Sequence, residues 1–182
     1  MIKLLFLFFL LSFGESIQNL SSGQITNESI SSWKTINDKN FSIQYPSDWE
    51  LNQSGQMSTT FILFAPLDSD KDAFKENVNL LMQDLQGYKM DLDQYTKISE
   101  EQIKKMITNS VIVESKRIKT NTDEYQQIIF TGDQGVFHLK FMQQYRVINE
   151  KAFVLTLTCE QEKFESYRAA GENIFKSFTI NK

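Results

Sequence analysis

The chain has 182 residues, a formal net charge of −4 and 41% hydrophobic residues, which suits one globular domain with a sizeable core. Its mild acidity and dispersed lysine and arginine residues exclude the basic footprint of a protein that binds nucleic acid or an anionic membrane surface. Its single cysteine, Cys159, cannot form an internal disulfide, so the fold must be stable through packing alone. We expect this thiol to be a buried core residue.

The first residues of the chain have the pattern of an export signal. Lys3 precedes the apolar run Leu4–Leu11, and the small residues Ser12 and Gly14 follow it. The run is shorter than the roughly 20 apolar residues that cross a bilayer. We therefore expect an exported, soluble protein of the periplasm or the extracellular space, without stable membrane insertion after the signal is cleaved; the alternative is a signal anchor that stays attached. The expected boundaries are a signal peptide over residues 1–16, a flexible leader over 17–32 and a single domain over 33–182.

The first half of the domain shows mostly the two-residue alternation that is typical of β-strands. Aromatic and aliphatic residues alternate with polar ones over residues 41–45. The segment Thr60–Ala65 is apolar on both faces, which predicts a central strand covered on both sides. A polar loop, Asp68–Lys75, separates it from a further strand over 78–85.

A helix is predicted to follow from Asp91 to Ile107. Its apolar residues fall on one stripe at 3.6 residues per turn. Asp91 is a suitable N-cap, and Gln94, three residues later, completes the pattern of a capping box. A similar signature starts at Ser99, so a break or kink is expected at Ile98–Ser99.

The sequence of the second half of the domain predicts four strands and a final helix. The strands are expected at Val111–Lys119, Glu124–Thr131, Val136–Ile148 and Ala152–Cys159. The links between them are short, which requires antiparallel hairpins. The last helix, Glu160–Phe175, has Gly171 in its middle, where glycine costs about 1 kcal/mol relative to alanine, and close packing on the sheet would explain it. The order β-β-β-β-α-β-β-β-β-α predicts an α+β fold: a mainly antiparallel sheet with two main helices packed on it.

Several short sequence motifs between Trp33 and Ile180 occur in an order that is typical of a known protein family. They are Phe41–Trp49 (FSIQYPSDW), Val78–Leu80, Asp91–Tyr95, Glu124–Tyr125 and the end from Phe164 to Phe178. In this order the chain resembles the PsbP-like superfamily, which includes the PsbP proteins of photosystem II, the DcrB lipoproteins and the Mog-type Ran-binding proteins. The resemblance implies an α/β/α sandwich and a non-catalytic accessory or binding protein. The resemblance does not imply that this chain docks to a photosystem or binds Ran.

The polar loop offers the only candidates for metal ligands that we derive from the sequence. Asp68, Asp70 and Asp72 alternate as in a calcium-binding loop. The sixth position is Ala73 instead of glycine, and the twelfth is Asn79 instead of glutamate, so affinity should be poor. We expect a solvated acidic loop, with weak cation binding as the alternative.

The sequence shows no catalytic constellation. Any mechanism with a histidine base must use His138, the only histidine, and its place in a predicted strand favours a residue on the sheet face. We therefore predict no catalytic residues, no cofactor and no enzyme activity. The expected function is an exported accessory module that binds an unidentified protein or cell-envelope partner, and not nucleic acid, through the loop Asp68–Lys75, the turn Gln86–Met90 or a sheet edge. The alternatives are a small-ligand carrier with an apolar pocket between sheet and helices, and a hydrolase that uses carboxylates alone.

Overall fold

A computed structural model describes residues 32–181, so the predicted signal peptide and nearly all of the predicted leader lie outside the described residues. The strands are β1 (Trp33–Asn37), β2 (Phe41–Pro46), β3 (Glu50–Asn52), β4 (Phe61–Phe64), β5 (Asn77–Asp84), β6 (Thr108–Lys119), β7 (Glu124–Gln134), β8 (Phe137–Ile148), β9 (Lys151–Glu160) and β10 (Thr179–Ile180). The helices are α1 (Leu92–Met106) and α2 (Phe164–Ser177), with a 3₁₀ turn at Gln56–Ser58. None of the helices in the described part of the chain has the length and apolar character needed to span a membrane.

The strands form two antiparallel sheets. The large sheet has seven strands in the order β3-β4-β5-β9-β8-β7-β6, and the small one has the order β1-β2-β10. Every strand pair in both sheets is antiparallel, and the predicted α+β class is confirmed. Five strands precede α1, where the predicted order has four, and the structure also adds the two-residue strand β10, where Ile180 pairs with Phe41 of β2. Strands of two or three residues are too short to show a period.

The large sheet is covered on both faces, which makes the molecule an α/β/α sandwich. Helix α1 packs on one face over β6, β7 and β8, with Tyr95, Ile103, Ile128, Phe130 and Tyr145 in its core. Helix α2 and the small sheet cover the other face, with Phe41, Leu80, Leu157, Phe164 and Phe175 in the larger core. All four residues of β4 are buried, as the sequence predicts for a central strand.

The local signals for α1 have their expected effect. The side chain of Asp91 accepts a hydrogen bond from the backbone N–H of Gln94, and the Gln94 side chain accepts one from Asp91 N–H, so the capping box is present. The helix does not break at Ile98–Ser99, where the Ser99 hydroxyl is buried and donates to the carbonyl of Tyr95. This bond satisfies the hydroxyl within the helix, so Ser99 does not act as a second cap.

The two sequence expectations for the end of the chain are also confirmed. A Cβ atom on Gly171 would lie 2.7 Å from Cδ2 of Leu157, so α2 approaches β9 as closely as glycine allows. Cys159 is a free, buried cysteine, and burial raises the pKa of its thiol. Helix α2 begins four residues later than predicted because β9 continues to Glu160 and a turn follows.

Candidate functional site

One end of the sandwich gathers four carboxylates around a single ammonium group. Nζ of Lys163 lies 2.7 Å from Oδ2 of Asp72 and 3.1 Å from Oε2 of Glu160. The same atom lies 3.3 Å from Oδ2 of Asp68 and 3.7 Å from Oε1 of Glu76. These five residues are called the Lys163 cluster below. They join the β4–β5 loop, the end of β9 and the turn before α2.

The β4–β5 loop is fixed in place by its own hydrogen bonds. The Asp72 carboxylate accepts a hydrogen bond from the backbone N–H of Asp68 at 3.2 Å and another from that of Phe74, also at 3.2 Å. The Phe74 ring packs against the Phe137 ring at the start of β8, with centroids 5.2 Å apart. Asp72 is therefore an oriented carboxylate.

The interior of the Lys163 cluster is buried. The Glu76 side chain is 0% exposed, and that of Lys163 is 21% exposed. Burial raises the pKa of Glu76. Burial alone would also raise the pKa of Asp72, but the hydrogen bond from Lys163 and those from the backbone lower it overall. Burial alone would lower the pKa of Lys163, but its carboxylate partners raise it, so the ammonium stays charged.

Glu76 is incompletely satisfied. Its Oε1 accepts a hydrogen bond from the backbone N–H of Glu160 at 3.4 Å. Its Oε2 is buried and has no hydrogen-bond partner among the described residues. Buried polar atoms are nearly always partnered, so this oxygen requires an explanation.

An aromatic pair adjoins the cluster. The Tyr167 hydroxyl donates to Oδ1 of Asp68 at 2.8 Å, and the Tyr167 ring meets the Trp49 indole edge-on, with centroids 6.4 Å apart. Burial raises the pKa of Tyr167, and the hydrogen bond to Asp68 adds to this effect. The cluster thus has two natural fluorophores close to it.

The structure brings together two of the three aspartates that the sequence singles out. One oxygen each from Asp68, Asp72 and Glu76 lies within 4.8 Å of the others, whereas Asp70 is exposed and outside this group. The sequence reasoning missed Glu76, Glu160 and Lys163. The four-residue spacing of Asp68, Asp72 and Glu76 was an available signal for Glu76, but nothing local pointed to Lys163.

His138 and Cys159 are not brought together as a catalytic pair. Nδ1 of His138 lies 2.6 Å from Oδ1 of Asp133. The other carboxylate oxygen of Asp133, Oδ2, accepts a hydrogen bond from the Asn109 side chain. The imidazole is exposed at the end of the β7–β8 hairpin, while Cys159 is buried. In the part of the chain that the structure describes, the hydrogen bonds of His138 do not include a serine or cysteine.

A second surface of interest is the free edge of the large sheet. Within residues 32–181, β6 is the last strand in the sheet order and pairs with β7 alone. Its register is irregular from Thr108 to Glu114 and regular from Glu114 to Lys119. Val111 and Val113 are 58% and 60% exposed, which is unusual for valines in a sheet.

A cleft of about 430 Å³ lies between the start of α1 and the β6–β7 hairpin. It is lined mainly by polar and charged residues, including Asp93, Asp123 and Glu124. Arg117 crosses it and pairs with Asp93 and Glu124. This cleft therefore lacks the apolar walls that the ligand-carrier hypothesis requires.

No protein-family model matches the sequence, and no curated protein matches it significantly. Similar solved structures include the solution structure of the cyanobacterial PsbP (CyanoP) of Synechocystis sp. PCC 6803, at 12% identity and a TM-score of 0.62 over 87% of this chain and 98% of that one. PA94 of Pseudomonas aeruginosa, a protein of unknown function described as a putative regulator, is 11% identical with a TM-score of 0.60, over 82% of this chain and 98% of its own. LpqN of Mycobacterium tuberculosis, involved in cell envelope biogenesis, is 12% identical with a TM-score of 0.59, over 85% and 93% of the two chains.

These likenesses cover nearly the whole described domain, and at such low identity they concern the fold. They agree with the resemblance seen in the order and spacing of the sequence pieces from Phe41 to Phe178. The chain has the PsbP-like fold, and the resemblance inferred from its sequence is confirmed at that level.

Proposed function

We propose that this protein is an exported, non-catalytic accessory module that binds a partner protein along the free edge of β6. The observation that carries the proposal is the exposed edge itself, with Val111 and Val113 open to solvent. The similarity to LpqN, a protein involved in cell envelope biogenesis, supports a role in the envelope. The buried thiol of Cys159 and the pairing of His138 with Asp133 support a role without catalysis.

An edge strand presents unpaired backbone N–H and C=O groups, so an added strand can extend the sheet. The regular part of β6, Glu114–Lys119, offers six residues in good strand register. The irregular part before it turns Val111 and Val113 toward solvent, where they can contact apolar side chains of the added strand. Backbone pairing would supply affinity, and these two valines would supply specificity.

The charges along the edge indicate the chemistry of the partner. Lys116 and Lys119 are exposed and lie at the end of β6 opposite to the valines. A second copy paired antiparallel through the same segment would place Lys116 opposite Arg117 at the centre of the seam, a like-charge contact that disfavours self-association, although Glu114 would meet Lys119 at each end. The fitting partner is therefore an extended segment of another protein, apolar where it meets the valines and acidic where it meets the lysines.

Site-specific photo-cross-linking in the native envelope tests this proposal. A photoreactive residue at position 113 should capture one defined protein, whereas the same residue at position 136 should not. Val136 is 86% exposed and lies in the β7–β8 turn, away from the edge. Lys119→Glu should reduce capture at position 113 at least several-fold, because it repels an acidic partner.

Lys176→Glu is the matched control for that charge reversal. The side chains of Lys119 and Lys176 are 74% and 72% exposed, and each has one glutamate near it. Equal capture at positions 113 and 136, equal loss with both charge reversals, or a cross-link between two copies of this chain would contradict the proposal.

A further inference from the structure

The Lys163 cluster holds more negative charge than its single ammonium neutralises. Four carboxylates, those of Asp68, Asp72, Glu76 and Glu160, lie within 4 Å of Nζ of Lys163. A site with one positive charge among several carboxylates favours a cation of higher charge.

The unpartnered oxygen of Glu76 points to the same conclusion independently. Its Oε2 is buried and receives no hydrogen bond among the described residues, while Oε1 of the same carboxylate faces Lys163. An ammonium has three N–H donors, which are already divided among several acceptors. A metal ion can take both oxygens of one carboxylate, so it would satisfy an atom that Lys163 leaves unsatisfied.

The spacing of the oxygens selects the kind of ion. Ca²⁺ binds oxygen at about 2.3–2.6 Å, so two oxygens on opposite sides of one ion are about 5 Å apart. The ligand oxygens of Asp68, Asp72 and Glu76 lie within 4.8 Å of one another. Mg²⁺ requires about 2.0–2.1 Å and near-ideal octahedral geometry, which suits this uneven set of oxygens less well.

Lys163 is able to leave the cluster. Its side chain is long, flexible and 21% exposed, so Nζ can rotate into solvent without a change in the backbone. Asp72, in contrast, is held by backbone N–H groups of the loop and would stay in position as a ligand. We therefore expect the ammonium, and not the Asp72 carboxylate, to give way to a competing ion.

We propose that Asp68, Asp72 and Glu76 form a Ca²⁺ site in which the ion displaces the ammonium of Lys163. Because the ion must compete with a resident charge, the dissociation constant should fall near that of extracellular calcium modules, about 10⁻⁴–10⁻³ M. All three ligands belong to the β4–β5 loop, so Ca²⁺ would cross-link this loop within itself and would release it from Lys163. This inference does not depend on the β6 edge, so either proposal can fail alone.

The test uses Tb³⁺, a luminescent substitute for Ca²⁺, with the full-length chain. Tyr167 donates a hydrogen bond to Asp68, so excitation of this tyrosine should sensitise Tb³⁺ bound in the cluster. Millimolar Ca²⁺ should displace the Tb³⁺ and remove the emission. Asp72→Asn should weaken Ca²⁺ binding at least tenfold, and Lys163→Gln should strengthen it about tenfold by removing the competing charge.

Asp70→Asn is the matched control, because Asp70 is an exposed aspartate of the same loop outside the cluster. Circular dichroism at each Ca²⁺ concentration establishes that the variants are folded, and Asp68→Asn replaces Asp72→Asn if the latter does not fold. Equal effects of Asp70→Asn and Asp72→Asn, or no gain in affinity from Lys163→Gln, would overturn the proposal.

Discussion

The ammonium of Lys163 lies 2.7 Å from Oδ2 of Asp72, although the two residues are 91 positions apart in the chain. This ion pair fastens the β4–β5 loop to the turn that begins α2. The Asp72 side chain is nearly buried, so the pair is made largely away from water. Removal of one partner should therefore destabilise the fold more than the loss of a surface ion pair, because the other charge would stay buried without a counter-charge.

The first prediction concerns the loss of this ammonium. Lys163→Met should lower the free energy of unfolding by about 2–4 kcal/mol, because several carboxylates remain near one another without a counter-charge. Lys140→Met is the control, since Lys140 is similarly exposed but has one exposed carboxylate partner, Glu165, besides a cation–π contact with the Phe164 ring at 4.3 Å. It should cost about 1 kcal/mol, less than Lys163→Met. Urea denaturation at neutral pH measures both, and equal losses would show that the cluster has no special role.

The second prediction is a pH dependence with a defined sign. The pKa of Glu76 is raised above its ordinary value of 4.5, so the folded protein binds this proton more tightly than the unfolded chain does. Its contribution to stability is therefore present below about pH 4.5 and lost as the pH rises through the folded-state pKa. Glu76→Gln, which keeps the shape and removes the charge, should be at least as stable as the parent at pH 7. The difference should shrink toward pH 4.

Asp72→Asn should behave in the opposite way. The pKa of Asp72 is lowered, so its carboxylate stabilises the fold above about pH 3.8, and this contribution is lost as the pH falls. The variant should be less stable than the parent at pH 7, with a difference that narrows on acidification. Thermal unfolding of the three proteins from about pH 2 to about pH 8 gives both trends, because the Asp72 contribution declines only below about pH 3.8. Parallel curves for Glu76→Gln and Asp72→Asn would contradict the assignment.

The third prediction concerns the contact between α2 and β9. Gly171→Ala should lower the free energy of unfolding by about 1 kcal/mol. Steric crowding by the new methyl group costs about 1–3 kcal/mol, and the higher helix propensity of alanine offsets about 1 kcal/mol of this cost. The new Cβ would meet Cδ2 of Leu157 at 2.7 Å. In a Leu157→Ala background the same change should become stabilising, since the obstruction is gone. A double-mutant cycle measured by urea denaturation checks this, and an additive result would exclude the steric explanation.

The fourth prediction concerns the start of α1. Asp91→Ala should cost about 1 kcal/mol, because it removes the acceptor for the N–H of Gln94. Asp91→Ser should retain most of that stability, since serine caps helices nearly as well. If alanine and serine at this position gave the same melting temperature, the capping box would not contribute.

Local patterns in the sequence were sufficient for the features that depend on neighbours in the chain. Alternation and short links predicted the hairpins from β6 to β9, and the Asp91–Gln94 spacing predicted the cap. Gly171 stood out because a glycine within a helix needs a packing reason. Each of these signals involves residues that are close together in the chain, so it can be seen in a single sequence.

The features that the sequence did not predict depend on residues that are distant in the chain and meet only in the folded structure. Lys163 meets Asp72 across 91 positions, and no local spacing reports such a meeting. Arg146 is similar: it is buried, makes hydrogen bonds to both carboxylate oxygens of Asp123, and stacks on the Tyr125 ring at 4.5 Å. Its partner Asp123 is 23 positions away in the chain, so no local spacing predicts this contact.

Amide hydrogen exchange on β6 tests the central claim most directly. With the protein captured at position 113 added, the amides of Glu114–Lys119 should exchange at least tenfold more slowly, while those around Gly135 should not change. This result is expected because an added strand gives hydrogen-bond partners to edge groups that otherwise face water. Protection confined to the Asp68–Lys75 loop or the Gln86–Met90 turn, with β6 unchanged, would contradict the account.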